Sequence, residues 1–335
     1  MTASVMPPLV LAPLPVARPW GGTRARALLD PSVAWPADAT GEWWLVSTRE
    51  GASSRVLGGP FDGVDLAQLI RERPDALLGR RHALRFAHRF PLLVKLIDAG
   101  APLSIQNHPD AAESPGEEKV ETWYVVDARP GARFWLGLER GVSAEELVEL
   151  ARRGVSPEAL LAMHPAAAGA IAHLEPGVFH ALGADVVALE FQTSSDTTFR
   201  VWDWQRTPKR ELHLDAALRV ARRAAVPSPA PLASRRIADG PPRRDEIVRC
   251  PEYSVERLRL TAGSPVHMAT DGARFEILVA IGGRMRVALP QGSVQVPRAH
   301  ATLVAAEAGD YVVTAEQDAE LFRCVPGDAA CGGGT

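Results

Sequence analysis

Most of this chain is written as short runs of strand-forming residues separated by turn signals, and that pattern points to a mainly β fold. Glu42 to Thr48, Leu92 to Ile97, Glu121 to Asp127, Phe134 to Leu138, Val186 to Thr193 and Thr197 to Trp204 all read as strands. Helical spacing is confined to three blocks. Leu66, Leu69 and Ile70 share a face in a helix expected over about 64–79. A second helical block spans 144–174, split by Pro157 and Pro165, and a third runs from Leu214 to Arg223.

Residues 226–244 are rich in proline, serine and arginine and have no periodicity, so they read as a linker. Beyond them the pattern is almost wholly β. Phe275 to Ile281 and Arg284 to Leu289 flank Gly282-Gly283, a two-residue hairpin signal, and three more strands follow by Val325. The expected organisation is therefore a larger β domain with inserted helices over 1–225, the linker, a compact all-β domain over 245–328, and a flexible glycine-rich tail over 329–335.

Charge is nearly balanced, with 37 Lys+Arg against 40 Asp+Glu, so nothing argues for nucleic acid or an anionic membrane as partner. No apolar run is long enough to span a bilayer, and the proline-broken start lacks a signal peptide's apolar core. Cys250, Cys324 and Cys331 form no C-x-x-C pair; a reduced, cytoplasmic setting is expected. Walker loop, dinucleotide fingerprint and serine elbow are all missing, against a kinase, dehydrogenase or hydrolase of those classes.

The chemistry-bearing stretch is Leu103-Ser-Ile-Gln-Asn-His-Pro-Asp110. Strand alternation puts Gln106 and His108 on one face. Glu121 opens the next strand, and Pro176-Gly-Val-Phe-His180 sets another histidine just past a Pro-Gly turn. Two neutral imidazoles, a carboxylate and an amide oxygen suit a borderline divalent ion such as Zn²⁺, and an oxygen-rich site with room for water is the open kind that serves catalysis. Each histidine alone reads as an ordinary strand residue; the set together reads as a metal site.

Further motifs lie around this core: Arg18-Pro-Trp-Gly-Gly22, Gly41-Glu-Trp-Trp44, Pro91-Leu-Leu-Val-Lys-Leu-Ile-Asp98, Lys119-Val-Glu-Thr-Trp-Tyr124, Pro176-Gly-Val-Phe-His-Ala-Leu-Gly183, and Glu190 through Trp204. With these in order, residues 18–220 resemble the type I phosphomannose isomerase family, in its short bacterial branch of the cupin superfamily. The resemblance implies a cupin-type β-barrel followed by a smaller cupin-like domain, one zinc ion per chain, and interconversion of mannose 6-phosphate and fructose 6-phosphate. It implies Gln106, His108, Glu121 and His180 as zinc ligands, and Arg200, Lys95 and Glu190 as catalytic residues. Trp20, Glu42, Ser104 and Lys119 fall to the sugar-binding set. The partner implied is a small-molecule sugar phosphate, and no protein partner is. Two departures stand out: Thr122 follows Glu121 where cysteine is usual, and Ala184-Asp185 follows Gly183. The C-terminal domain resembles the family only loosely, and its His267 and His300 lack ligand contexts; it reads as a metal-free relative of the first barrel or another β module.

The residues themselves leave alternatives open. Lys95 shares a strand face with Leu93 and Ile97, and an inward lysine needs an anionic partner, so it is either a structural ion pair or part of the chemistry. Parity pairs Glu190 with Gln192 against Val187, Leu189 and Phe191, which alone would suit a solvated face. Arg200 lies in an alternating strand that does not say which face is wet, and it suits phosphate binding or the holding of a developing negative charge. The competing functions are a different metal-dependent enzyme on the same fold and a non-catalytic regulator that binds sugar phosphate.

Overall fold

A computed structural model describes residues 5–224 and 228–327 of the chain. The expected tail with Cys331 and residues 225–227 lie outside that range. The fold is built from two antiparallel sandwiches placed back to back.

The first sandwich faces a six-stranded sheet with a five-stranded one. In spatial order the six strands are Ile171–Leu174, Glu121–Ala128, Val186–Thr193, Leu92–Ala99, Glu42–Val46 and Leu14–Val16. The five are Leu161–Pro165, Arg133–Leu138, His180–Leu182, Ile105–Asn107 and Phe199–Trp202. Their inner faces meet through Trp123, Val125, Phe134, Leu136 and Leu182. Helices Ala144–Arg152 and Leu214–Ala221 cover the outside of the five-stranded sheet, packing Leu147, Val148 and Val220 on Trp135, Ala181 and Val201.

The central strands of the six-stranded sheet are buried on both faces. The sheet's inner side carries Glu42, Lys95, Glu121 and Glu190, all buried. Its outer side carries Leu45, Val94, Leu96, Val187, Leu189 and Phe191, which pack on Val255, Ile277, Val279 and Phe322 of the second sandwich. Each such aliphatic or aromatic side chain contributes roughly 1.5–3 kcal/mol by leaving water. The alternation that left Glu190 open to a solvated reading is thus an alternation between two interiors.

The second sandwich pairs a seven-stranded with a four-stranded sheet around Leu258, Leu278, Met285, Val287 and Val313. Its seven-stranded sheet includes Leu9–Leu11 from the start of the chain, paired to Ala301–Val304 with Leu9 opposite Leu303.

Three local expectations need correction. The block 64–79 is not one helix but Leu66–Glu72 and Pro74–Leu78, with Arg80–Arg85 following; Pro74 and Gly79 interrupt it. The block 144–174 is α-helical only over Ala144–Arg152, which opens on a Ser143/Glu146 capping box, and holds one further 3₁₀ turn at Glu158–Leu160. Beyond it, Leu161–Pro165 and Ile171–Leu174 are strands, each paired to a strand of the first sandwich. Within 226–244, Arg235–Ala238 is a strand paired to Arg243–Arg249, with Arg236 bonded to Asp245 and Arg235 to Glu246. Those pairs are charged, so a search for apolar periodicity passes over them. Among the described residues no helix is long and apolar enough to cross a membrane.

Candidate active site

Glu121 enters the interior from the six-stranded sheet, and the two histidines come from the facing one. His180 begins its strand directly after the turn at Pro176-Gly177, where Gly177 has φ 81°, a left-handed conformation that suits glycine. His108 lies one residue past the strand Ile105–Asn107. Asn107, between Gln106 and His108, points the other way and donates to the carbonyls of Gly177 and Ala217 at 3.2 and 2.9 Å. The Gly177 amide donates to His108 O at 3.0 Å, so the two histidine segments are clamped together by backbone.

The ring orientations follow from their outer hydrogen bonds. His108 Nδ1 lies 3.1 Å from Thr197 O and His180 Nδ1 lies 2.8 Å from Val178 O. A carbonyl only accepts, so each Nδ1 carries the proton and each Nε2 presents a lone pair. Burial, with Lys119 beside His108 and His108 beside His180, keeps both rings neutral, His180 down to about 3. Those two lone pairs aim at one carboxylate oxygen: Glu121 Oε1 is 3.2 Å from His108 Nε2 and 3.4 Å from His180 Nε2. Burial disfavours the charge on Glu121, but the ammonium of Lys119 outweighs it and holds the carboxyl well below its usual range. Three buried acceptors converge with no proton between them, and His108 Nε2 and Glu121 Oε1 have no hydrogen-bond partner. An uncompensated buried acceptor costs about 1–3 kcal/mol; a cation among the three removes that cost. His108, Glu121 and His180 therefore form a group that can hold a metal ion, their ligand atoms all within 4.8 Å of one another.

Gln106 sits in register with His180, its Nε2 3.5 Å from His180 Nε2 and its Oε1 accepting from Ser104 Oγ at 2.9 Å. Ser104 can equally accept, so turning the amide over gives the oxygen to the centre and keeps the serine bond. Lys119 Nζ lies 2.9 Å from Glu121 Oε2.

Beside this group lies a charged cluster on the same inner face. Lys95 is in register with Glu190 on one side and Trp44 on the other. Its ammonium is 3.1 Å from Glu190, 3.5 Å from Asp196 and 3.7 Å from Glu42, and lies over the Trp44 ring. Burial would neutralise Lys95, but the carboxylates of Glu190, Glu42 and Asp196 raise its pKa instead. Glu190 also accepts from Trp123 Nε1 at 2.8 Å; burial and the charge of Glu121 push its carboxyl up. Glu42 accepts from Trp44 Nε1 at 2.8 Å and from Arg18 Nη2 at 3.1 Å, with Arg18 Nε at ion-pair distance, 3.0 Å. Burial would raise Glu42, but Lys95 and Arg18 bring it down to about 2. Gly41 permits the Arg18 approach: a Cβ there would stand 2.4 Å from Arg18 Cβ. The guanidiniums of Arg18 and Arg210 lie 5.9 and 5.3 Å from the Trp20 ring.

Arg200 is in register with Gln106, which places His180, Gln106 and Arg200 in a row across three strands. It is half-buried, its Nη1 donates to Glu211 O at 2.8 Å, and its Nε is buried without a partner. Its charged neighbours are Arg210, Asp203, Arg18 and Glu211, so it stands apart from the Lys95–Glu190–Glu42 cluster. Sequence reasoning missed Asp196, Arg18, Trp44 and Trp123 as site residues. Asp196 lies in a loop without alternation, while the indole donors of Trp44 and Trp123 were masked by the usual packing role of tryptophan. Ala184 and Asp185 line a separate surface cavity of about 420 Å³ with Arg133, Trp135 and Trp204; none of the residues discussed above as site candidates lines it.

Residues 15–165 match the catalytic domain of type I phosphomannose isomerases. A mannose-6-phosphate isomerase of Streptococcus mutans is 37% identical over 209 residues, 60% of this chain and 63% of that protein, so this alignment spans less than two thirds of the relative. A mannose-6-phosphate isomerase of Bacillus subtilis is 31% identical over 266 residues, 77% of this chain and 81% of its own. The crystal structure of the mannose 6-phosphate isomerase from Bacillus subtilis superposes with a TM-score of 0.81 at 27% identity, covering 95% of this chain and 99% of the other. The mainly β, cupin-type fold is shared, and this chain belongs to the type I phosphomannose isomerase family.

Proposed function

We propose that the chain is a zinc-dependent, cytoplasmic aldose–ketose isomerase that interconverts mannose 6-phosphate and fructose 6-phosphate by moving a proton between neighbouring carbons through an enediol(ate). One observation carries this reading: the converging acceptors of His108, Glu121 and His180 share an interior with the Lys95–Glu190–Glu42 cluster. A metal site and a buried acid–base cluster on one face are what such a reaction requires.

Gln106, His108, Glu121 and His180 would hold the ion, with Ser104 orienting Gln106 and Lys119 fixing Glu121. Bound there, zinc would supply Lewis-acid stabilisation of charge on the sugar oxygens. Glu190 is the candidate for carrying the proton: Trp123 and Lys95 fix its two oxygens, and its raised pKa brings it closer to that of a working base. Lys95 in turn keeps Glu190 and Glu42 charged and apart. Arg200 supplies a planar cation, with one nitrogen unpartnered, to the negative charge of the substrate or of the enediolate. Trp20 and Glu42 line the sugar-binding side. The only partner in this scheme is the sugar phosphate.

The test is a coupled assay of mannose 6-phosphate conversion before and after chelation, with zinc restored afterwards. Turnover that vanishes with the chelator and returns with zinc is the expected result; turnover indifferent to chelation overturns the metal role. Free mannose should turn over far more poorly than its 6-phosphate, since phosphate binding positions the sugar.

A further inference from the structure

Thr122 and Phe191 lie side by side in register on the outer face of the six-stranded sheet, each one residue after a site carboxylate, Glu121 and Glu190. Both are fully buried. Tyr253, from the second sandwich, is fully buried against them. Its hydroxyl donates to Phe191 O at 2.9 Å and lies 2.9 Å from Thr122 Oγ1, which lies 2.9 Å from His173 Nδ1.

Donor counting fixes the direction of this chain. Tyr253 has one proton, and Phe191 O takes it because a carbonyl cannot donate. Thr122 must then give its proton to the tyrosine oxygen, since otherwise two oxygen lone pairs would face each other. That leaves Thr122 to accept from His173 Nδ1–H. The sequence His173 to Thr122 to Tyr253 to Phe191 runs head to tail, so each bond polarises the next. It crosses three neighbouring strands of the sheet, Ile171–Leu174, Glu121–Ala128 and Val186–Thr193. The same Tyr253–Leu260 strand places a second tether, Arg257 to Tyr124 OH.

We propose that Tyr253 is a positioning residue: through Thr122 and Phe191 it fixes the relative placement of Glu121 and Glu190 from behind the sheet, and so gives the second sandwich a part in the function of the first. A hydroxyl at position 122 completes the tether, because it can accept from one side and donate to the other. The role for Glu190 rests on the function proposed above, whereas the role for Glu121 rests only on its place in the metal-binding group.

The experiment measures zinc affinity by competition with a chromophoric chelator, kcat and KM for mannose 6-phosphate, and Tm, on Tyr253→Phe, Thr122→Val, Thr122→Ser and the Phe/Val double variant. Tyr311→Phe, which loses a buried hydroxyl bond to Glu276 inside the second sandwich, is the control. Tyr253→Phe and Thr122→Val are each expected to loosen zinc by about tenfold and to lower kcat by a similar factor, with KM moved about twofold or less. The double variant should be no worse than either single one, because both cut the same chain. Thr122→Ser should behave as wild type, and Tyr311→Phe should lower Tm alone. Unchanged zinc affinity in both Tyr253→Phe and Thr122→Val overturns the proposal, whatever happens to Tm. Should Tyr253→Phe fail to fold, Thr122→Val against Thr122→Ser decides by the same criterion. If the wild type binds zinc without isomerising the sugar, the proposed function falls while the zinc measurements still judge the tether.

Discussion

Both sandwiches place charged side chains between their sheets, but they satisfy them differently. In the second, Glu276 is buried and accepts from Arg323 Nε and Nη2 at 2.7 and 2.6 Å and from the Tyr311 hydroxyl across the interior. Acceptor and donors match, and the group is closed. Its nearest approach to a ligand is His300, whose Nε2 is buried without a partner but which stands by Trp35 with no carboxylate in contact. In the first sandwich, two imidazole lone pairs and a carboxylate oxygen face one another with nothing donated among them. Similar architecture thus treats charge in opposite ways: the second interior pairs its carboxylate within the protein, and the first leaves three acceptors that could hold a cation. Among the described residues, His108, Glu121 and His180 make up the one group of this kind.

The sharpest way to break this contrast is His108→Ala. It should abolish stoichiometric zinc and reduce turnover by about 100-fold or more, since even outer-shell changes cost 10–100-fold. Elemental analysis of the purified variant checks it; a full complement of zinc would remove His108 from the ligand set and leave the two interiors alike.

Glu190→Gln separates the ion from the proton. Zinc should stay, while kcat falls by about 100-fold or more, in line with the loss of a general base. Burial and the charge of Glu121 raise the Glu190 pKa, so activity should be fully present above that raised value and be lost as pH falls through it. The acid limb of the kcat profile should therefore lie above the ordinary value for a glutamate, and disappear in the variant's residual rate. An unchanged limb in Glu190→Gln would assign the titration to another group.

Arg200→Lys keeps the charge but loses the planar fork. We expect kcat to fall on the order of 100-fold, with KM changed far less if Arg200 acts mainly in the transition state. A rise in KM at constant kcat would make it a ground-state phosphate ligand instead.

The smallest effect on turnover should come from Glu276→Gln in the second interior. It should cost about 1–3 kcal/mol of stability, read as a lowered Tm, with zinc content and kcat unchanged. Lost zinc in this variant would mean that the second interior is not independent of the first.

Much of this was legible in the residues, and what was not has physical reasons. Gln106, His108, Glu121 and His180 could be read because two sit at strand parity and one follows a Pro-Gly turn. Lys95 could be read as needing an anion because an inward lysine is costly, and it has three. Glu190 could not be placed by parity, because parity gives two faces and does not say that both are buried. Alternation could not say which face of its strand Arg200 takes; its backbone stands in line with Gln106, but a long side chain need not end where its strand points. The strands at Leu161–Pro165 and Ile171–Leu174 were taken for helix because short apolar runs fit either period.

The pairing of Leu9–Leu11 with Ala301–Val304 has a consequence for how the chain is made. A ribosome delivers the first strand long before its partner, and at about 5–20 residues per second Leu9 waits roughly 15–60 s for Leu303. During that time two leucines destined for the core, and an unpaired strand edge, have nowhere to go. Nascent chains halted before residue 301 should therefore be open to protease ahead of Leu14 and bind holdase chaperones, and chains halted after emergence of residue 326, when Ala319–Pro326 has joined the same sheet, should resist both. The first strand made is thus among the last to find its neighbour, with only Asp310–Ala315 and Ala319–Pro326 still to come.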